Sequence, residues 1–107
     1  NVSQVTDMSE LFKDKTDFND DISSWDVSSV TNMSYMFKNS ESFDQDISSW
    51  DVSSVTNMSY MFSQNSYNAS SFNQDIGGWN VSNVTNMSNM FSKASLFNKD
   101  ISNWNKG

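Results

Sequence analysis

The sequence predicts an α/β solenoid of four stacked units, each of about 25 residues and each supplying one short parallel strand and one short helix. Three observations predict it. The block WDVSSVTNMSYMF occurs twice, ending at Phe37 and Phe62, and WNVSNVTNMSNMF occurs once, ending at Phe91. The four tryptophans, Trp25, Trp50, Trp79 and Trp104, are spaced 25, 29 and 25 residues apart. Nearly every apolar residue falls into a column that recurs at that spacing.

A unit ends at each Trp, which gives residues 1–25, 26–50, 51–79 and 80–104, with 105–107 starting a fifth. The third unit is longer by four residues, because SQNSYNASSF stands where the second has KNSESF. Read down the copies, the columns are Val2/27/52/81, Val5/30/55/84, Met8/33/58/87, Leu11 with Met36/61/90, Phe12/37/62/91, Phe18/43/72/97, Ile22/47/76/101 and the tryptophans. The hydrophobic residues outside these columns are Tyr35, Tyr60, Tyr67, Ala69, Ala94 and Leu96. One unit alone cannot bury such a face. Stacking sets each side chain on its own copy in the next unit and makes one core. The Trp column and Phe12, Phe37, Phe62 and Phe91 are therefore read as structural.

The elements follow from local spacing. In Trp50-Asp51-Val52-Ser53 apolar and polar residues alternate, which predicts a strand with Trp and Val inward. Met33, Met36 and Phe37, and again Met58, Met61 and Phe62, lie at i, i+3, i+4, which predicts one or two helical turns with one buried face. Thr6, Thr31, Thr56 and Thr85 stand just before each such turn, where a hydroxyl can cap free N–H groups. A polar loop, a Phe and an Asp-Ile turn lead to the next strand. Strands of successive units are expected to pair in parallel at about 4.8 Å, which makes a stack on the order of 20 Å long.

Composition narrows the function. The chain has 13 acidic residues and six Lys, no Arg, and a net charge of −7. The lysines are scattered at 13, 15, 38, 93, 99 and 106 rather than clustered, so nucleic acid is not an expected partner. No run approaches the ~20 apolar residues of a membrane span, so direct membrane insertion is not expected. Cys and His are absent, which removes disulfides, thiolate metal sites and the commonest general base. No nucleophile–base pair or phosphate loop is visible. The chain is not expected to be an enzyme, and no cofactor is expected.

The unit FDQDISSWDVSSVTNMSYMF resembles the repeat of about 25–26 residues found in bacterial surface proteins and lipoproteins, including the mycoplasma-type family of unknown function. The string W-[DN]-V-S-x-V-T-N-M-S-x-M-F carries the likeness, which covers the whole chain. The spacing I-x-x-W-x-V-x-x-V also resembles leucine-rich repeats of the BspA-like kind, L-x-x-L-x-L-x-x-N. It departs from them in its Trp, in a Val where the Asn ladder would stand, and in its Met-rich turns. The resemblance implies a right-handed, leucine-rich-repeat-like β/α solenoid. It also implies display at a bacterial cell surface or secretion, with signal and anchor outside this stretch. It assigns no catalytic or binding residue.

Three polar or aromatic rows are candidate sites. Asp21, Asp46, Asp75 and Asp100 recur in the Asp-Ile turn; stacked carboxylates could hold Ca²⁺, or each could close an Asx turn on its own backbone. Asp26, Asp51 and Asn80, with Ser28, Ser53 and Ser82 on the same face, form an outward row that suits a partner or simply faces solvent. Tyr35 and Tyr60 share one position, held by Glu10 and Asn89 in the other units, and Tyr67 lies in the insertion nearby. Exposed aromatics can stack on sugars or anchor a protein, or they can cover the insertion. The expected function is adhesion or recognition of a host protein or glycan; the alternative is a passive spacer. Neither end carries a polar cap, so the chain is expected to belong to a longer array and to stack end to end.

Overall fold

From Met33 to Ser40 the backbone N–H groups divide their hydrogen bonds in strict alternation. Met33, Tyr35, Phe37 and Asn39 donate to the carbonyls of Asn57, Ser59, Met61 and Ser63 in the next unit, at 2.9, 2.9, 2.9 and 3.0 Å. The residues between them bond locally. Ser34 donates to Asn32 Oδ1 at 2.9 Å, while Met36, Lys38 and Ser40 donate three residues back to Met33, Tyr35 and Phe37. The first unit repeats this pattern toward the second, and the third repeats it toward the fourth. The structure, a computed structural model, describes residues 3–64, 71–94, 97, 101 and 104.

This bonding overturns the predicted α/β class. Among the described residues there is no helix and no extended strand. Strand-like pairing is limited to isolated parallel bridges that link Asp7 to Asn32, Asn32 to Asn57 and Asn57 to Asn86. Each unit is instead a chain of turns, and the molecule is compact, 32 × 31 × 19 Å with a radius of gyration of 12.6 Å. Among the described residues the helix and strand of a leucine-rich repeat are both absent, and the right-handed β/α solenoid expected from that likeness falls with them.

The helix fails at one column. Glu10, Tyr35, Tyr60 and Asn89 have φ of 63°, 62°, 59° and 57°. An α-helix admits no residue there. Tyr35 is the third residue of a turn closed by Met36 N–H on Met33 O, and Asn39, with φ 60°, is the third residue of the turn closed by Ser40 N–H on Phe37 O. Positive φ at that position marks a type II turn. Two such turns also bring residues three and four apart onto one side, so the Met-x-x-Met-Phe spacing satisfied both readings.

The strand fails because short polar side chains capture its N–H groups. Asp51 Oδ1 accepts from Ser53 N at 3.0 Å, and Val55 N–H closes a turn on Val52 O. Trp50 and Val52 are buried and Asp51 is exposed, as alternation requires, but on turns. The threonines do not cap helical turns either. Thr31, Thr56 and Thr85 hydroxyls donate to Thr6, Thr31 and Thr56 carbonyls of the preceding unit, at 3.3, 3.2 and 3.2 Å. Capping falls to the next residue: Asp7, Asn32, Asn57 and Asn86 accept the N–H two residues on.

The core is a set of registered columns. Phe12, Phe37, Phe62 and Phe91 stack at 5.6, 5.5 and 5.5 Å, and Phe18, Phe43, Phe72 and Phe97 at 5.7, 5.8 and 6.0 Å. Within each unit the two rings lie 4.0–4.3 Å apart and nearly parallel. Offset stacks of this kind add about 0.5–1.5 kcal/mol per pair beyond burial. Each indole N–H reaches back one unit: Trp50, Trp79 and Trp104 Nε1 donate to Ile22, Ile47 and Ile76 O, all at 3.1 Å. The longer third unit keeps this register. Gln64 N–H bonds Ser92 O and Ser71 N–H bonds Glu41 O, on either side of the insertion.

Candidate functional site

The aspartate rows are occupied by their own backbone. Asp21, Asp46 and Asp75 accept from Ser23, Ser48 and Gly77 N at 2.9, 3.0 and 3.1 Å, which are the bonds of an Asx turn. Asp100 lies outside the described residues. The neighbouring Asp44 serves as a rung between units: its Oδ1 accepts from Asn73 N and Gln74 Nε2, both at 3.0 Å. Among the described residues, no three carboxylates gather closely enough to hold a metal ion.

The outward row behaves alike. Asp26 Oδ1 accepts from both Ser28 N and Oγ, at 3.0 and 2.6 Å, and Asp51 does the same with Ser53. Asn80 accepts from Ser82 N at 3.1 Å. The Ser28 hydroxyl and N–H hold the Asp26 carboxyl below its ordinary pKa; the Ser53 pair does so for Asp51, against the charge of Asp26 in the unit before. Asp21 and Asp46 are lowered by the hydroxyl and then the N–H of Ser23 and Ser48, and Asp7 by the N–H and then the hydroxyl of Ser9. These groups stay ionised and self-capped. They offer a ligand charge but no cleft.

The tyrosine row differs in kind. Tyr35 and Tyr60 stack at 4.8 Å between centroids and 10° between planes. Lys13 Nζ sits 5.9 Å from the Tyr35 centroid and 4.0 Å from Glu10 Oε2. Asn89 Nδ2 donates to Tyr60 Oη at 2.9 Å. One line of side chains thus crosses all four units. Both tyrosines are half-buried at their positive-φ turn positions, where a bulky L-residue costs about 1–2 kcal/mol. Tyr67 lies outside the described residues.

The sequence placed Glu10, Tyr35, Tyr60 and Asn89 in one column but did not find Lys13. Lys13 comes from the turn after Glu10, and its reach to a ring one unit away depends on the stack. Trp50 and Trp79, with Phe37 and Phe62, are buried. Trp25, Trp104, Phe12 and Phe91, at the two ends, are half-buried against the same core. Among the described residues no helix is long and apolar enough to cross a membrane.

No curated protein and no solved structure matches the chain. A family model, described as Mycoplasma protein of unknown function, DUF285, matches residues 1–104. The leucine-rich-repeat likeness has no counterpart there; what the repeated Trp, Val, Met and Phe columns mark is membership of that family, to which this chain belongs.

Proposed function

We propose that this chain is a non-catalytic recognition module displayed at a bacterial cell surface, and that the Tyr35–Tyr60 row is its contact surface for a protein partner. The observation that carries the reading is a pair of aromatic residues kept in a strained backbone conformation on the outside. Strain held outside the core is a pointer to function. Glu10 and Asn89 fill the same position in the other units, so the turn does not need an aromatic ring.

A protein suits the surface better than a sugar. Sugars pack on ring faces, and Tyr35 has Lys13 over one neighbouring position and Tyr60 against a face. The row combines two stacked, half-buried phenol rings with Glu10 and Lys13, which fits a protein surface with donors, acceptors and aromatic slots. Surface display rests on the likeness to bacterial surface repeats and belongs to the proposal.

The test is a binding screen of host matrix and surface proteins beside a glycan array, using the native chain and a Tyr35→Asn/Tyr60→Asn double variant. Asn tolerates positive φ and already stands at position 89. The double variant should stay folded, within about 1 kcal/mol of the native stability, because relieved strain offsets the lost stacking. It should lose at least about tenfold in affinity for the protein partner. Unchanged binding by the double variant overturns the proposal and leaves the passive spacer.

A further inference from the structure

The hydrogen-bonding capacity of the tyrosine row is lopsided toward donors. Asn89 Nδ2 donates to Tyr60 Oη at 2.9 Å, so that phenol oxygen already serves as an acceptor and its O–H is left to donate. Tyr35 makes ring contacts with Tyr60 and Lys13, and its hydroxyl bonds none of the described residues. Lys13 Nζ carries three N–H groups and reaches Glu10 Oε2 at 4.0 Å, the far limit of an ion pair. The Lys13 and Glu10 side chains are 35% and 60% exposed, where such a pair is weak and gives way to a better one.

Lysines distant in sequence also converge on the row. Lys13 N–H closes a turn on Glu10 O, and Lys38 N–H closes the equivalent turn on Tyr35 O one unit on. Each thus stands three residues past a member of the row. The net charge of −7 opposes an anion only at long range, and at physiological salt charges more than about 8 Å away are largely screened.

These groups discriminate among protein segments. A Lys- or Arg-rich segment brings donors without acceptors and leaves both phenol hydrogens unpaired. A Gln or Asn amide accepts, but without charge. An ionised Asp or Glu side chain accepts on two oxygens, and its bonds to an ammonium and to hydroxyls are roughly twice as strong as neutral ones.

We infer, resting on the recognition reading, that the Tyr35–Tyr60 row takes an acidic segment of its protein partner. Carboxylates of that segment accept from the Tyr35 and Tyr60 hydroxyls and from Lys13 Nζ in place of Glu10. Glu10 is then a built-in competitor for Lys13 and weakens the hold on the segment.

Fluorescence anisotropy with labelled peptides of equal length, in which Gly alternates with Glu, Gln or Lys, tests this. The native chain should bind the Glu peptide at least about tenfold more tightly than the Gln or Lys peptide. Tyr35→Phe with Tyr60→Phe keeps both rings and removes only the hydroxyls. It should keep the native melting temperature and lose about tenfold in affinity for the Glu peptide. Lys13→Gln should lose a similar factor. Glu10→Gln keeps the side-chain shape and releases Lys13, so it should tighten the Glu peptide several-fold, a gain that damage to the fold does not produce. A Glu peptide bound no more tightly than the Gln peptide up to millimolar concentration would overturn the inference. So would an affinity unmoved by the paired Phe variant and by Glu10→Gln. Failure of the recognition reading shows separately, as unchanged protein binding by Tyr35→Asn/Tyr60→Asn.

Discussion

The second unit and the first carry the same apolar columns, yet the second is buried far more completely. Phe37, Phe43, Met33 and Met36 are essentially inaccessible. Phe12 and Phe18, with the same partners on one side, are half-buried, and Leu11 is exposed. Burial here belongs to the neighbours above and below and not to the unit. An identical side chain contributes differently according to how many copies flank it, as expected when stability is a sum of nearest-neighbour interfaces.

The sharpest test of this comparison is truncation of one column at two heights. Phe37→Ala should cost about 3–5 kcal/mol, because it opens a cavity beneath Phe62 and beside Phe43. Phe12→Ala should cost about 1–2 kcal/mol, since Phe12 is only partly buried. Equal losses in urea denaturation would break the nearest-neighbour picture.

The indole ladder gives a smaller contrast. Trp50→Phe removes the bond to Ile22 O and leaves a buried acceptor with one partner fewer, at about 1 kcal/mol beyond lost packing. Trp25→Phe removes no such bond and should show only the packing loss in the same chemical melts.

At the smallest scale, the third unit has Gly77-Gly78 where the second has Ser48-Ser49. A Cβ on Gly78 meets nothing within 4 Å, and its φ is not positive. Gly78→Ala should therefore stabilise by about 0.4–1 kcal/mol, through the reduced freedom of the unfolded chain. A drop in melting temperature would mean that the turn needs glycine.

Acid separates the Asp rows from the Asn rows. Asp7, Asp21, Asp26, Asp46 and Asp51 have folded pKa values below those of the unfolded chain. Their contribution is complete above the unfolded carboxylate range, near pH 4, and is lost as pH falls through the folded values. Asn32, Asn57 and Asn80 make the same Asx bond without titrating. Asp26→Asn with Asp51→Asn should leave the melting temperature at pH 7 nearly unchanged and flatten its fall below pH 4. An acid limb as steep as the native one would show that these turns do not govern it.

Much of the molecule was legible beforehand, and particular residues mark where reading stopped. The inward set of Trp50, Val52, Met58, Met61 and Phe62 followed from recurrence alone, as did the meeting of Tyr35 with Tyr60. The secondary structure did not. Met33, Met36 and Phe37 fit a helix as well as two tight turns, because both bring residues three and four apart to one side. Only the φ of Tyr35 separates them. The Lys13 end of the tyrosine row was out of reach, since Lys13 stands outside the repeated column and meets Tyr35 only through the stack.

What the sequence determined by itself was the column order. An apolar side chain that recurs every 25 residues can be buried only against its own copy, and the hydrophobic effect needs no particular backbone to demand that. Only the tertiary structure decided the backbone. Helix, strand and turn compete for the same N–H groups, and from Met33 to Ser40 the carbonyls three residues back, with one Asn side chain, claim half of them locally while the carbonyls of the next unit claim the rest. That division depends on the neighbouring unit being present, which no single stretch of the chain encodes.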